Sequence, residues 1–329
     1  MTLLPQDQYG LITRRGALAR GLVDQDLRRL VTSGELVVVR RGVYVTAAHW
    51  QDLDPYRAQP VLRIRAAALV LRCQPYVFSH DSAALLLGLG VPDGRTAQVH
   101  VTRRKVHGDA DRAGIKHHRA PYSPAQVIMV DGLAVLDSAR TALDMAREHG
   151  LVAGVACCDA ALRDGVTRHD LDAAREAMRC WPYSRTVDAA LAMADSGAES
   201  WLESEGRVLV HDLGIGRPQT QFGLADAGRT VWCDLRVGRH IFEIDGRLKY
   251  TNDNELDLDP DAVLWREKQR QDFITGFKLG VSRITAHDCR AGRAAARVRL
   301  LREYAATCTR FGTDLGDLAP YIVSRRRLM

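Results

Sequence analysis

From Ser200 to Thr285 the residue pattern switches repeatedly between helical and strand periodicity, in the order helix, strand, strand, strand, helix, strand. Ser200 to Asp212 reads as a helix closed by Gly214. Gln219 to Gly223 and Thr230 to Val237 read as strands separated by an Ala-Asp-Ala-Gly turn, and His240-Ile-Phe-Glu-Ile-Asp245 as a third, ended by Gly246. Asp259-Pro260 is a helix start, with Asp as N-cap and Pro in the first turn. That helix runs to about Lys278 and stops at Gly280, and Val281 to Thr285 is the last strand. An α/β domain is the class this order demands.

Three carboxylates fall inside that frame. Asp234 stands amid Val231, Trp232, Cys233 and Leu235, where a carboxylate is costly without a partner. Glu243 and Asp245 are two apart on one strand, so both face one side. Hydrolysis of a phosphodiester by water uses a divalent ion to polarise the phosphate and hold the nucleophile. Converging carboxylates suit Mg²⁺, or Mn²⁺ in its place. Asp234, Glu243 and Asp245 are therefore the candidate metal ligands, with Glu203 of the first helix reaching the ion directly or through water. Structural roles compete with this. Glu203 stands three after Ser200, the spacing of a capping box, and Glu243-Ile-Asp-Gly also fits an outward strand face running into a turn.

The wording Ser200-x-x-Glu203…Arg207, Asp234, Phe242-Glu-Ile-Asp-Gly-Arg-x-Lys-Tyr250, Trp265-Arg-Glu-Lys-Gln-Arg-x-Asp272 and Gly280-Val-Ser-Arg-Ile284 resembles the Vsr-like endonuclease branch of the PD-(D/E)XK superfamily. It is similar, too, to proteins of actinobacterial type that join an antitoxin-like amino terminus to such a domain. The resemblance implies an αβββαβ restriction-endonuclease-like core and a Mg²⁺-dependent DNA endonuclease. It makes Asp234 and Glu243 the ligands, with the Ile244 carbonyl and Asp245 nearby and Glu203 in support. One departure matters: the lysine that usually ends the third-strand motif is here Asp245. Lys249, or Lys268 on the following helix, is the replacement cation to consider, and both also fit a solvated surface. Loss of the lysine equally fits a DNA-binding repressor or antitoxin whose nuclease fold is silent.

Residues 1–47 read helix, helix, helix, then a tight β-hairpin. Thr13 and Asp24 are N-cap residues for helices near 14–20 and 25–33, and Gly21 and Gly34 follow their ends. Glu35-Leu-Val-Val-Val39, the turn Arg40-Arg41-Gly42 and Val43-Tyr-Val45 form the hairpin. This is a winged helix, with Arg28 and Arg29 on its third helix and Arg40 and Arg41 on its wing. Such arginines suit a DNA backbone, although the same shape also serves protein contacts. The stretch from Leu11 to Val45 resembles the amino-terminal winged helix of AbiEi-type antitoxins. That family represses its own promoters and antagonises a toxin, so the resemblance implies DNA and a cognate toxin as partners, in phage defence or a toxin–antitoxin system.

Residues 48–195 read as a mixed α/β linking domain between the winged helix and a third domain, 196–329, with a basic helix and tail. Helices are expected near 60–72, from Ala83 to Leu89, from Thr141 to His149 and from Val152 to Leu162, with a strand from Gln98 to Thr102. His80 beside Asp81 suggests acid–base work, but no third partner has a legible spacing, so capping and packing of the Ala83 helix is the expected role. Arg103-Arg104-Lys105 with His107, His117 and His118 lacks metal-ligand spacing and reads as a solvated loop. The acidic run from Thr251 to Asp261 lacks the glycine and glutamate of a calcium loop. Arg290, Arg293, Arg297 and Arg325 to Arg327 offer a further basic surface.

A formal charge of +6 and a pI near 9.0 agree mildly with an acidic partner. Seven cysteines without any C-x-x-C give neither a disulfide framework nor a zinc pattern, and a reducing cytoplasm is the expected setting. Charges at Asp7, Arg14, Arg15 and Arg20 argue against a signal peptide, and no apolar run reaches spanning length, so no membrane is expected.

Overall fold

The computed structural model describes residues 4–71, 75–92, 98–104, 110–246 and 260–324. Their contacts gather into two units, residues 1–161 with 165–191, and residues 162–164 with 192–329. The winged-helix segment and most of the expected linking domain thus fall in the first.

That unit opens with β1 (Ile12–Thr13), α1 (Arg14–Ala19), α2 (Asp24–Thr32) and the hairpin β2 (Leu36–Arg40) and β3 (Val43–Thr46). Three helices were expected before the hairpin; among the described residues there are two, and Ile12–Thr13 instead adds a strand to β3. Thr13 caps α1 as expected, its hydroxyl accepting from the Gly16 amide at 3.0 Å. The cap of α2 differs. Val23 occupies the N-cap, and Asp26 reaches back to accept from the Val23 amide at 3.0 Å. Asp24 is already inside the helix and accepts twice from Arg14, at 2.6 and 2.5 Å, tying α1 to α2. Gly42, at φ +78°, makes the wing turn. Ile12, Ala17, Leu27 and Leu36 form one small core.

After α3 (Ala47–Asp52), Leu62 and Ala66 of α4 (Ala58–Val70) join Leu11, Val43 and Val45 behind the hairpin. Then come β4 (Val77–Phe78), α5 (His80–Leu86), β5 (Val99–Arg103), β6 (Ala110–Arg112), β7 (Ile115–Arg119), β8 (Val127–Val130), β9 (Leu133–Leu136) and the helices α6 (Ser138–His149), α7 (Leu151–Arg163), α8 (Arg168–Glu176) and α9 (Ser184–Met193). The strands form one sheet in the order β6-β7-β5-β4-β9-β8, with β5/β7 and β4/β9 parallel. Two helices start earlier than expected. Ser79 is the N-cap of α5, and Asp137 caps α6 by accepting from the Arg140 amide at 2.7 Å.

The second unit has α10 (Trp201–His211), β10 (Gln219–Asp226), β11 (Arg229–Val237), β12 (His240–Asp245), α11 (Pro260–Gly276), β13 (Gly280–Thr285), α12 (Ala286–Cys289), α13 (Arg293–Phe311) and β14 (Ile322–Val323). The first six follow the order expected from sequence. Its sheet runs β13-β12-β11-β10-β14, with only β12 and β13 parallel. Ala227 and Gly228, at φ +46° and +78°, close the β10–β11 hairpin in the left-handed conformation that tight hairpins need. Phe242 and Ile244 pack with Leu209, Ile284 and Leu300, whereas Ile241 packs with Phe222, Cys233 and Ile274. Alternation along β12 therefore buries both faces of the sheet, and Glu243 shares the face of Ile241. Short β14 pairs with β10 only at Gly223 and Leu224.

Candidate functional site

Strand pairing sets Asp234 of β11 beside Glu243 of β12. The β11–β12 ladder ends at Leu235 and Phe242, and one residue further the Asp234 carboxylate accepts from the Ile244 amide at 2.7 Å. A side chain thus satisfies a backbone donor that would otherwise be costly to leave unpaired. Across the next strand, pairs at Thr220–Leu235 and Phe222–Cys233 place Gln221 opposite Asp234, and Gln221 holds φ +49°. Backbone irregularity and carboxylate coincide.

Glu243 is bound by Arg270, which no motif in the sequence marks as a site residue. Nη2 of Arg270, on α11, donates to both carboxylate oxygens at 2.9 Å and to the Trp232 carbonyl at 2.9 Å. Burial nevertheless raises the Glu243 carboxyl from its ordinary 4.5 to about 7. Asp234 adds to that rise, and Arg270 opposes it. A signal for Arg270 existed: it stands four residues before Ile274, which is buried, so the helical period turns it toward the sheet. Lys268 is out of that phase. It is exposed, with Nζ 5.8 Å from the ring centre of Trp265. Lys249 lies outside the described residues, as do residues 251–259 of the acidic run and Arg325 to Arg327.

Glu203 is engaged at the start of its own helix. Its carboxylate accepts from the Glu199 amide at 2.8 Å and the Ser200 hydroxyl at 3.0 Å, while its amide donates to the Ser200 hydroxyl at 3.2 Å. This is capping-box behaviour, shifted one residue upstream. Asp245 ends β12 opposite Thr285, partly exposed. As arranged, these carboxylates do not fit a hard divalent ion. Glu203 is committed to the cap, one oxygen of Asp234 to Ile244, and both oxygens of Glu243 to a guanidinium. Nor do they form a group of three with ligand atoms in mutual reach, which among the described residues only histidines do.

Those histidines correct two expectations. His118, expected in a solvated loop, is buried on β7, beside buried His100 of β5 and His80 at the start of α5. Asp81, expected with His80 to serve in capping and packing of the Ala83 helix, accepts from His149 Nε2 at 2.5 Å and lies 3.7 Å from His100 Nε2. The fold supplies the partners that spacing along the chain hid. His117 is half-buried, and His107 lies outside the described residues.

The basic residues divide likewise. Arg28 and Arg29 are exposed on α2, directly after buried Leu27, and Arg29 lies 3.7 Å from Asp26. Arg41 is exposed on the wing. Arg40 is partly buried, with its pKa lowered by that burial, and donates to the Gly114 carbonyl at 3.4 Å. Arg290 pairs with Glu205 at 3.2 Å and Arg293 with Asp212 at 2.5 Å, so both fasten the last helices to α10. Arg297 is exposed.

No helix among the described residues is long and apolar enough to cross a membrane. No curated protein matches the chain. Among solved structures it is similar to one titled "Crystal structure of RV2827C protein from Mycobacterium tuberculosis". That likeness has 16% identity and a TM-score of 0.36 over 57% of this chain and 79% of that one, too loose to carry an argument. Residues 3–47 match the family described as "Transcriptional regulator, AbiEi antitoxin". The chain therefore carries, at its amino terminus, a domain of the AbiEi antitoxin and transcriptional-regulator type.

Proposed function

We propose that this protein is a DNA-binding transcriptional regulator of antitoxin type, working in the cytoplasm with a cognate toxin as its second partner. The family match of residues 3–47 carries this reading. Exposed Arg28 and Arg29 on α2 and Arg41 on the wing support it, because guanidinium groups there meet phosphates or guanine edges without first breaking a buried contact. The carboxylates of the second unit, closed by Arg270 and by a helix cap, agree with a nuclease-like fold that is catalytically silent.

The test is a titration of the full-length protein, in EDTA, with its own upstream DNA and with random duplex. Replacing Arg41 by Ala is expected to flatten the slope of log K against log[salt] by ~0.9, equally on both DNAs. Replacing Arg28 and Arg29 by Ala is expected to cost ~1–3 kcal/mol more on the upstream DNA if either reads a guanine. Unchanged affinity and slope in both variants make residues 4–47 a protein-binding module instead.

A second reading, the Mg²⁺- or Mn²⁺-dependent DNA endonuclease, rests on Asp234 and Glu243 standing on the adjacent strands β11 and β12. It requires Arg270, 2.9 Å from Glu243, to release that carboxylate to an ion and to serve as the cation that Asp245 cannot. Incubation with plasmid, single-stranded DNA and RNA, in Mg²⁺, Mn²⁺ or EDTA, decides it. Cleavage abolished by Asp234→Asn and by Glu243→Gln supports the endonuclease, and its absence with every ion leaves the regulator.

A further inference from the structure

His80, His100 and His118 come from three elements of the first unit and offer one nitrogen each, all within 4.8 Å of one another. Each is at least 94% buried. Parallel strands β5 and β7 pair His100 with Lys116 and Thr102 with His118, so the two histidines share a face two register positions apart. His118 Nε2 lies 3.1 Å from His100 Nδ1, and the His80 ring stacks on that of His118 at 3.6 Å between centres. His80 holds φ +49°, a conformation rare outside glycine and kept where surroundings force it.

The outer nitrogens have partners of the kind that orient metal-binding imidazoles. Asp81 faces His100 Nε2 at 3.7 Å and is itself held by His149. A proton on that nitrogen leaves the Nδ1 lone pair turned toward His118. His80 Nδ1 meets the Ser79 hydroxyl at 3.0 Å, and Thr102 donates to the same hydroxyl at 2.8 Å, which leaves His80 Nε2 for the centre.

We propose that His80, His100 and His118 form a buried binding site for a borderline divalent ion of the Zn²⁺ class. Three imidazoles select such ions over Mg²⁺ or Ca²⁺. Tetrahedral ligation at ~2.0–2.1 Å sets the nitrogens roughly 3.4 Å apart, close to the separation of His100 and His118. Parallel rings aim their lone pairs in parallel, so His80 must rotate out of the stack to complete the triad. Asp144, 4.0 Å from His80 Nε2, is the nearby carboxylate, but it is already paired with Arg140 and Arg147. The site is independent of the proposed DNA binding and of the carboxylates on β11 and β12.

Full-length protein without a polyhistidine tag is stripped with EDTA, then titrated with Zn²⁺ and with Co²⁺. About one equivalent of tightly held metal is expected after desalting. The Co²⁺ form should show visible bands of a low-coordinate site and shifted imidazole N–H proton signals, both erased by Zn²⁺. Asp234→Asn/Glu243→Gln should keep these signals, and His100→Gln/His118→Gln should lose them. Less than a tenth of an equivalent in the wild type, or Co²⁺ bands without imidazole signals, overturns the site. Retention of the spectrum by the double histidine variant overturns it too. The imidazole signals of the wild type decide the matter if that variant does not fold.

Discussion

Glu243 is pulled in opposite directions by burial and by Arg270, and burial wins. Its carboxyl titrates near 7 in the folded chain and near 4.5 in the unfolded one, so the native state holds the extra proton. Its contribution to stability is therefore complete below about pH 4.5 and lost as pH rises through 7. The melting temperature of the wild type relative to Glu243→Gln should fall across that window in EDTA, and a difference flat with pH refutes the shift. Arg270 opposes the rise, so Arg270→Gln lets Glu243 keep its proton to still higher pH. A cost of ~3–5 kcal/mol is expected from denaturant midpoints at alkaline pH, where the carboxylate has lost its cation, shrinking as pH falls toward 5. The two acids were legible because a strand period and an apolar setting mark them in the sequence. Arg270 showed only its helical phase and the histidines not even that, since what joins them to their partners is packing between elements.

Element ends were read well where a side chain announces them and poorly where it does not. Thr13 was legible as a cap because a hydroxyl stands before a helical period. Val23 has no capping group, and the work passes to Asp26 three residues later. Strand β7 escaped because its residues, Ile-Lys-His-His-Arg, are polar enough to pass for a loop. Packing against His100 of strand β5 and His80 of helix α5 helps keep the inward face of His118 dry. On α10, Glu203 closes the first turn with three hydrogen bonds. Glu203→Ala should cost ~0.5–2 kcal/mol in denaturant midpoint, and Glu203→Gln less, because an amide oxygen still accepts there. Should the endonuclease reading hold, normal cleavage by Glu203→Gln would assign this residue to the cap alone.

Across the whole molecule, two sets of contacts with separate cores imply that damage stays local. Leu209 is fully buried in the second unit. Leu209→Ala is expected to remove ~2–5 kcal/mol from that unit. Hydrogen exchange should quicken at the β11 and β12 amides and stay slow at those of β5 and β7; equal loss in both sheets would show a single cooperative body. The order of the first six elements in this unit was legible because each carries its own period and stop. Strand β14 was not, being two residues whose pairing is set by a distant partner. Yet that pairing sits at the middle of β10, which is eight residues long. Without it, Gly223 and Leu224 present bare amides and carbonyls on the rim of the sheet, ready to template a strand from another molecule. Ile322→Pro with Val323→Pro, read by light scattering against concentration, should turn a self-limiting sheet into one that grows by accretion. Two residues act as a selvedge, the woven edge that keeps the fabric from fraying into its neighbour.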